Sequence, residues 1–125
     1  MLPHDKVYSR LGVSNIHGIG VFAFCDIGKG ELLFECDNTE IVWINANEIN
    51  NLSKKFKKLY DDFCVIKNNG TLYGCPKNFN QLTMAWYMNH SDEPNVEIDE
   101  NYNFHTKQRI KEGEELTINY NTFSE

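Results

Sequence analysis

The sequence has 125 residues, of which 41% are hydrophobic and 13% are aromatic. This length and composition fit one domain with a real core and exclude an acidic disordered chain, which would hold few aromatic residues. The net charge of −6 argues against nucleic acid as the main partner, because phosphate binding needs clustered Lys and Arg. An acidic surface instead attracts basic peptides.

The cysteines and the amino terminus predict a cellular compartment. The four cysteines include no C-x-x-C pair, so we expect no structural zinc and no other metal. The first ten residues are polar and charged, which argues against a signal peptide, and no apolar stretch approaches the roughly 20 residues of a membrane span. We therefore expect an intracellular protein of the nucleus or cytoplasm, with reduced thiols.

The first half of the chain predicts short strands followed by one helix. Residues 17–24, 27–35 and 40–44 are rich in apolar, β-branched and aromatic residues and are punctuated by glycine turns. Asn45 or Asn47 could then cap a helix. Its apolar residues recur at spacings of three, four and seven: Ile49, Leu52, Phe56, Leu59, Tyr60 and Phe63.

The second half returns to strands. We predict a short strand at residues 72–75, a helical segment at residues 78–88, and two strands that flank an Asp-Glu-Asn turn at residues 99–101. A last strand follows the turn at residues 111–113. The chain is thus expected to be a mainly β domain with one or two short helices.

Three motifs could carry chemistry. Gly18-Ile19-Gly20 would let backbone amides approach a ligand, although G-x-G alone is typical of a hairpin turn. Asn89-His90-Ser91, with Pro94-Asn95 close behind, sets hydrogen-bonding side chains beside an apolar run, where Asn89 could also simply end a helix. Residues 113–120, Gly-Glu-Glu-Leu-Thr-Ile-Asn-Tyr, alternate like a strand, in which Tyr120 alone would be an ordinary core residue.

The order of these motifs resembles the SET-domain protein-lysine methyltransferases. The resemblance covers about residues 7–123, and the pair N-H-S-x-x-P-N and E-L-T-x-x-Y is highly specific. It implies a single SET domain over residues 1–125. The implied fold is mainly β, the SET-domain (β-clip) fold of small curved sheets with a C-terminal pseudoknot.

The resemblance also implies an activity. Members transfer a methyl group from S-adenosylmethionine to a lysine amine, here of a basic protein or a histone-like tail, and release S-adenosylhomocysteine. Tyr120 matches the catalytic tyrosine. The residues expected to hold the cofactor are Gly18, Ile19, Gly20, Asn89, His90, Tyr120 and Phe123. Ile118, Tyr60 and Phe63 are expected to line the substrate channel, although Tyr60 and Phe63 could equally belong to the core.

Several positions depart from the family pattern. Trp86 replaces a basic residue, so weaker cofactor binding is expected, and Asn119 replaces an Asp. Asp92 stands where relatives often carry a zinc-binding Cys, which implies a zinc-free, minimal SET protein like some viral and bacterial members. Ile118 in place of an aromatic residue would allow more than one methylation. A second copy of so small a domain could complete the peptide groove.

These departures leave an alternative open. A catalytically degenerate SET domain could bind a partner peptide without transferring a methyl group. The presence of the glycine, Asn-His and tyrosine positions together favours the enzyme.

Overall fold

The computed structural model describes residues 2–120. They form two compact units, one of residues 2–37 and 87–119, the other of residues 38–86 and 120. In chain order the elements are β1 (Ser9–Val13), β2 (Ile19–Ala23), β3 (Val42–Asn45), α1 (Ala46–Asn50), α2 (Lys54–Phe63), β4 (Val65–Lys67), β5 (Leu72–Cys75), β6 (Asn89–His90), β7 (Val96–Ile98), β8 (Phe104–Thr106) and β9 (Glu115–Ile118).

The first unit is built on a four-stranded sheet in the order β1-β2-β9-β6. β1 and β2 form an antiparallel hairpin, β9 pairs antiparallel with β2, and β6 pairs parallel with β9. β9, which comes last in the chain, therefore lies between strands from the beginning and the middle of the sequence. Its Leu116 and Ile118 are almost fully buried, as is Val21 of β2, so this sheet supplies much of the unit's core.

A second hairpin in the first unit pairs β7 with β8. The Asp99 carboxylate accepts hydrogen bonds from the backbone N–H groups of Asn101 and Asn103, at 2.9 and 3.0 Å. An Asp that bonds the backbone two residues ahead is a standard way to close a turn. The predicted pair of strands around the Asp-Glu-Asn turn is therefore confirmed.

The second unit packs two helices against a three-stranded sheet in the order β3-β5-β4. Asn45 caps α1, since its side-chain oxygen accepts a hydrogen bond from the backbone of Asn47. The core of this unit consists of Ala46, Ile49, Cys64, Tyr73 and Cys75. The prediction of a single helix was wrong, because the chain breaks between α1 and α2 at residues 51–53.

Two other predicted elements differ from the structure. Residues 27–35 form no strand but only isolated bridges, Ile27 with Ile110 and Leu32 with His105. Gly30 at a φ of 81° and Phe34 at a φ of 56° leave the extended region and prevent a continuous strand. The predicted helix at residues 78–88 is two short 3₁₀ turns, Phe79–Gln81 and Met84–Tyr87.

Three strands were not predicted: β1, β4 and the two-residue β6. β1 carries Gly12 and several exposed residues, so its sequence lacks the alternation of a half-buried strand. β4 is only three residues long. None of the helices in residues 2–120 has the length and apolar character needed to cross a membrane.

Candidate functional site

Asn89 lies at the centre of a polar cluster in the first unit. Its side-chain Nδ2 contacts the backbone oxygens of His17 and Ile19 at 3.0 and 3.4 Å, the Glu115 carboxylate at 2.8 Å and the Ser14 hydroxyl at 3.1 Å. Because carbonyls and a carboxylate surround this end of the amide, it must be the nitrogen. Asn89 thus joins β6 to β9 and to the loop between β1 and β2.

Ser14 ties the same loop to β9. Its hydroxyl donates to the two Glu115 carboxylate oxygens, at 2.7 and 2.9 Å. The same oxygen accepts from the backbone N–H groups of Ile16 and His17, at 2.9 and 3.3 Å, while the Ser14 backbone donates to the Gly18 oxygen at 2.8 Å. Hydrogen bonds within the turn and hydrogen bonds to Glu115 of β9 therefore both stabilise the turn that leads into the G-x-G motif.

The two glycines of this motif serve different purposes. Gly18 has a φ of 47°, which favours glycine, and a side chain added there would meet nothing within 4 Å. Gly20 is buried, and a Cβ there would collide with the Glu115 carboxylate and lie 3.1 Å from Asn89 Nδ2. The backbone of Gly20 is thus covered by the side chains of Glu115 and Asn89, whereas no such side chain among residues 2–120 covers the corresponding face of Gly18.

The rest of the Asn-His-Ser-x-x-Pro-Asn motif also contacts β9. The Ser91 backbone donates to the Ile118 oxygen at 3.1 Å. Asn95 is buried. Its side-chain Nδ2 donates to the backbone carbonyl oxygen of Glu115, and its Oδ1 accepts from the backbone N–H of Thr117, both at 2.8 Å. The motif therefore holds the last strand at two points. The alternative in which Asn89 simply ends a helix does not hold, since Asn89 begins a strand.

His90 is partly exposed beside this strand pair. Its backbone is opposite Ile118, and its Nε2 lies 3.0 Å from the Asp92 carboxylate. Within residues 2–120, no three His, Cys, Asp or Glu side chains are grouped to hold a metal ion.

The other predicted site residues fall in different places. Ile118 is only 3% exposed and is part of the core of the first unit. Tyr120 follows the end of β9 by two residues and belongs to the second unit, where burial raises the pKa of its hydroxyl above the ordinary value. Phe123 lies outside the described residues.

Tyr60 and Phe63 both contact one aromatic ring of the second unit. The Tyr60 ring meets Phe79 edge-on with centroids 5.0 Å apart, and Phe63 lies 6.3 Å from the same ring. Tyr60 also packs against the core of this unit, and burial raises the pKa of its hydroxyl. A place in the core is thus observed for Tyr60, and the channel role of both residues stays a prediction.

Sequence reasoning missed Ser14 and Glu115 as members of the site. Glu115 stood within a recognised motif, but its side chain was not considered. One signal could have found it: an acidic residue within a strand whose next residues, Leu116 to Ile118, are buried needs hydrogen-bond donors. Nothing in the sequence near Ser14 pointed to a carboxylate 101 residues away.

Solved structures with a similar fold were found. A histone methyltransferase candidate of Plasmodium falciparum superposes with a TM-score of 0.56 and 22% identity, over 92% of this chain and 94% of that chain. An inhibitor-bound humanized mutant of Polycomb Repressive Complex 2 from Chaetomium thermophilum gives a TM-score of 0.62 and 22% identity over 95% of this chain. This chain covers only 15% of that much longer one.

Sequence comparisons identify the family of this chain. No curated protein sequence matches this chain. The family model described as the SET domain matches residues 18–121, which include all three motifs. The described strands and short helices fit that fold, and the chain belongs to the SET domain family.

Proposed function

We propose that this protein is an S-adenosylmethionine-dependent protein-lysine N-methyltransferase of the histone-lysine type. Membership of the SET domain family and the likeness to a histone methyltransferase candidate support this proposal. The observation that carries it is the Asn89 cluster, which fixes the G-x-G loop against the Asn-His-Ser motif through four acceptors.

The cluster fits the amino-acid part of the cofactor. The Nδ2 atom of Asn89 is used inside the protein, whereas its Oδ1 accepts no hydrogen bond from any of residues 2–120 and is not sealed from solvent. Asn89 is a buried residue whose amide contacts the loop at residues 17–19, and an amide oxygen that is not sealed from solvent can accept a hydrogen bond from an ammonium group. Asn89, Gly18 and Ile19 would therefore hold the methionine part, with His90 beside them. When bound, the cofactor supplies a methyl group already activated on a sulfonium.

Tyr120 is proposed to orient the lysine amine. Because burial raises the pKa of its hydroxyl, the group stays protonated near neutral pH and is a hydrogen-bonding group rather than a base. The amine must lose its proton to solvent before it attacks, and an apolar channel favours the neutral form. The new N–C bond then forms as the S–C bond breaks, so the residues mainly align the two partners.

We further propose a Lys- and Arg-rich substrate, a histone or histone-like tail, because the chain carries a net charge of −6. An intracellular setting, in the nucleus or cytoplasm, and a second copy of the chain as partner belong to the same proposal. Ile118 is aliphatic and carries no hydroxyl that could hold a water beside the lysine, so more than one methylation belongs to this proposal.

The test is transfer of a labelled methyl group to core histones and to total cell protein, together with cofactor titration by calorimetry. Tyr120→Phe should nearly abolish the label while retaining cofactor affinity. Tyr102→Phe, which alters an exposed tyrosine in the β7–β8 turn, is the matched control and should keep full activity. A wild-type protein that neither binds the cofactor nor transfers a label would overturn the proposal and favour the peptide-binding alternative.

A further inference from the structure

We propose that Glu115 and Ser14 are positioning residues for the cofactor, a role that rests on the proposed methyltransferase function. Neither residue need touch the cofactor. They hold the Asn89 amide and the loop at residues 14–20 in the one arrangement that presents Asn89 Oδ1 and the open face of Gly18 to a ligand.

The geometry of the Glu115 carboxylate supports this role. It accepts hydrogen bonds from Ser14 and from Asn89, which are 101 and 26 residues away in the sequence. Charge-assisted hydrogen bonds of 2.7–2.9 Å are the strong class. One carboxylate thus connects the amino-terminal loop, β6 and β9.

The electrostatic setting of Glu115 is unusual for a group that only stabilises a strand. Among residues 2–120 it forms no ion pair, although its side chain is partly buried. A partly buried carboxylate without a cation needs hydrogen bonds to compensate its desolvation, and here Asn89 and Ser14 supply them. The neighbouring Gly20 must also lack a side chain to make room for it. The carboxylate therefore fixes the orientation of Asn89 in addition to its contribution to stability.

Loss of the carboxylate should therefore disturb orientation first. A carboxamide at position 115 keeps one oxygen that can accept from both Asn89 and Ser14, but it removes the negative charge, so both hydrogen bonds lose their charge assistance. Its NH2 group also faces the Ser14 hydroxyl in place of the second carboxylate oxygen. The β1–β2 and β2–β9 backbone pairs do not depend on these bonds, so the sheet should persist.

The experiment measures binding of S-adenosylmethionine and S-adenosylhomocysteine by calorimetry for five proteins. They are the wild type, Glu115→Gln, Ser14→Ala, Ser14→Thr and the control Glu97→Gln, which neutralises an exposed strand carboxylate of the first unit. We expect Glu115→Gln and Ser14→Ala to raise Kd about tenfold or more for both ligands, because the free energy of a hydrogen bond to a charged group corresponds to about that change in Kd. Ser14→Thr keeps the hydroxyl and Glu97→Gln keeps the cluster, so both should bind like the wild type.

The readouts separate positioning from a purely structural role. Irreversibly unfolded protein lowers the stoichiometry of binding, and a reversible unfolding equilibrium raises the apparent Kd only in proportion to the lost folded fraction, which circular dichroism measures. Mispositioning instead raises Kd in a protein that is fully folded. At saturating cofactor, the transfer rate of Glu115→Gln should approach that of the wild type. If Glu115→Gln fails to fold, Ser14→Ala provides the same test.

The outcomes also separate this inference from the proposed function. A wild type without cofactor affinity overturns the proposed function itself. A wild type that binds while Glu115→Gln and Ser14→Ala bind equally well overturns the positioning role alone. A higher Kd for both variants, with Ser14→Thr unaffected, supports it.

Discussion

A methyl group added at Gly20 should disrupt the polar cluster and weaken the fold at the same time. In Gly20→Ala, the new Cβ would lie 3.0 Å from the Glu115 Cδ and 3.1 Å from Asn89 Nδ2, and still nearer to a carboxylate oxygen. A carboxylate at the end of a side chain normally moves aside at little cost. Here it is held by Ser14 and Asn89, so it cannot move without losing hydrogen bonds.

The cost follows from two contributions. Overpacking at a buried position costs about 1–3 kcal/mol. Loss of a hydrogen bond to a charged group costs about 1.5–3 kcal/mol, and partial exposure of Glu115 reduces this value. We expect a loss of about 2–4 kcal/mol in the free energy of unfolding. For a domain of this size that corresponds to a fall in Tm of roughly 10 °C.

Urea denaturation followed by circular dichroism would measure this loss. Gly28→Ala is the matched control, because its added Cβ would meet only Glu31 atoms at 3.7 Å or more and its φ is not positive. That variant should be neutral or slightly stabilised. A Gly20→Ala protein as stable as Gly28→Ala would refute the claim that the cluster is rigid.

Three further predictions concern other parts of the chain. Asn95→Ala removes both side-chain hydrogen bonds to β9 from a buried site and should lower the free energy of unfolding by about 2–3 kcal/mol, measured in urea. A hydrogen bond from Lys57 holds the pKa of Asp61 below its ordinary value. The contribution of Asp61 to stability is therefore full above about pH 4 and is lost as pH falls through the lower folded pKa. The Tm difference between wild type and Asp61→Asn should vanish in acid, and a constant difference would contradict this. Cys36 is exposed and should react with a thiol reagent within the folded protein, whereas Cys64 and Cys75 should react only on unfolding, because both side chains are buried. A hydrogen bond to Cys75 and burial also raise the pKa of Cys64.

Local patterns in the sequence predicted several elements correctly. The strand at residues 72–75 follows a glycine turn and has its predicted bounds, and Asn45 caps a helix as its side chain allows. Such features depend on neighbours within a few residues. At residues 27–35 the local signal misled for a backbone reason: the positive φ values of Gly30 and Phe34 interrupt an apolar stretch that looks like a strand.

The site was predicted only in part for a related reason. The three motifs were found because each has a recognisable order of residues, and the SET domain match covers all of them. What each side chain contacts was not visible. The glycine at position 20 was interpreted as room for a ligand, yet the neighbour that requires it is the Glu115 carboxylate.

The sequence by itself therefore determined the family, the mainly β character and the positions of the three motifs, because these depend on residue type and spacing along the chain. Only the tertiary structure decided that β9 lies between β2 and β6, and that Ser14, Asn89 and Glu115 share one hydrogen-bond cluster. Hydrogen bonds between residues 26 to 101 positions apart depend on strand order and register, which no local pattern specifies.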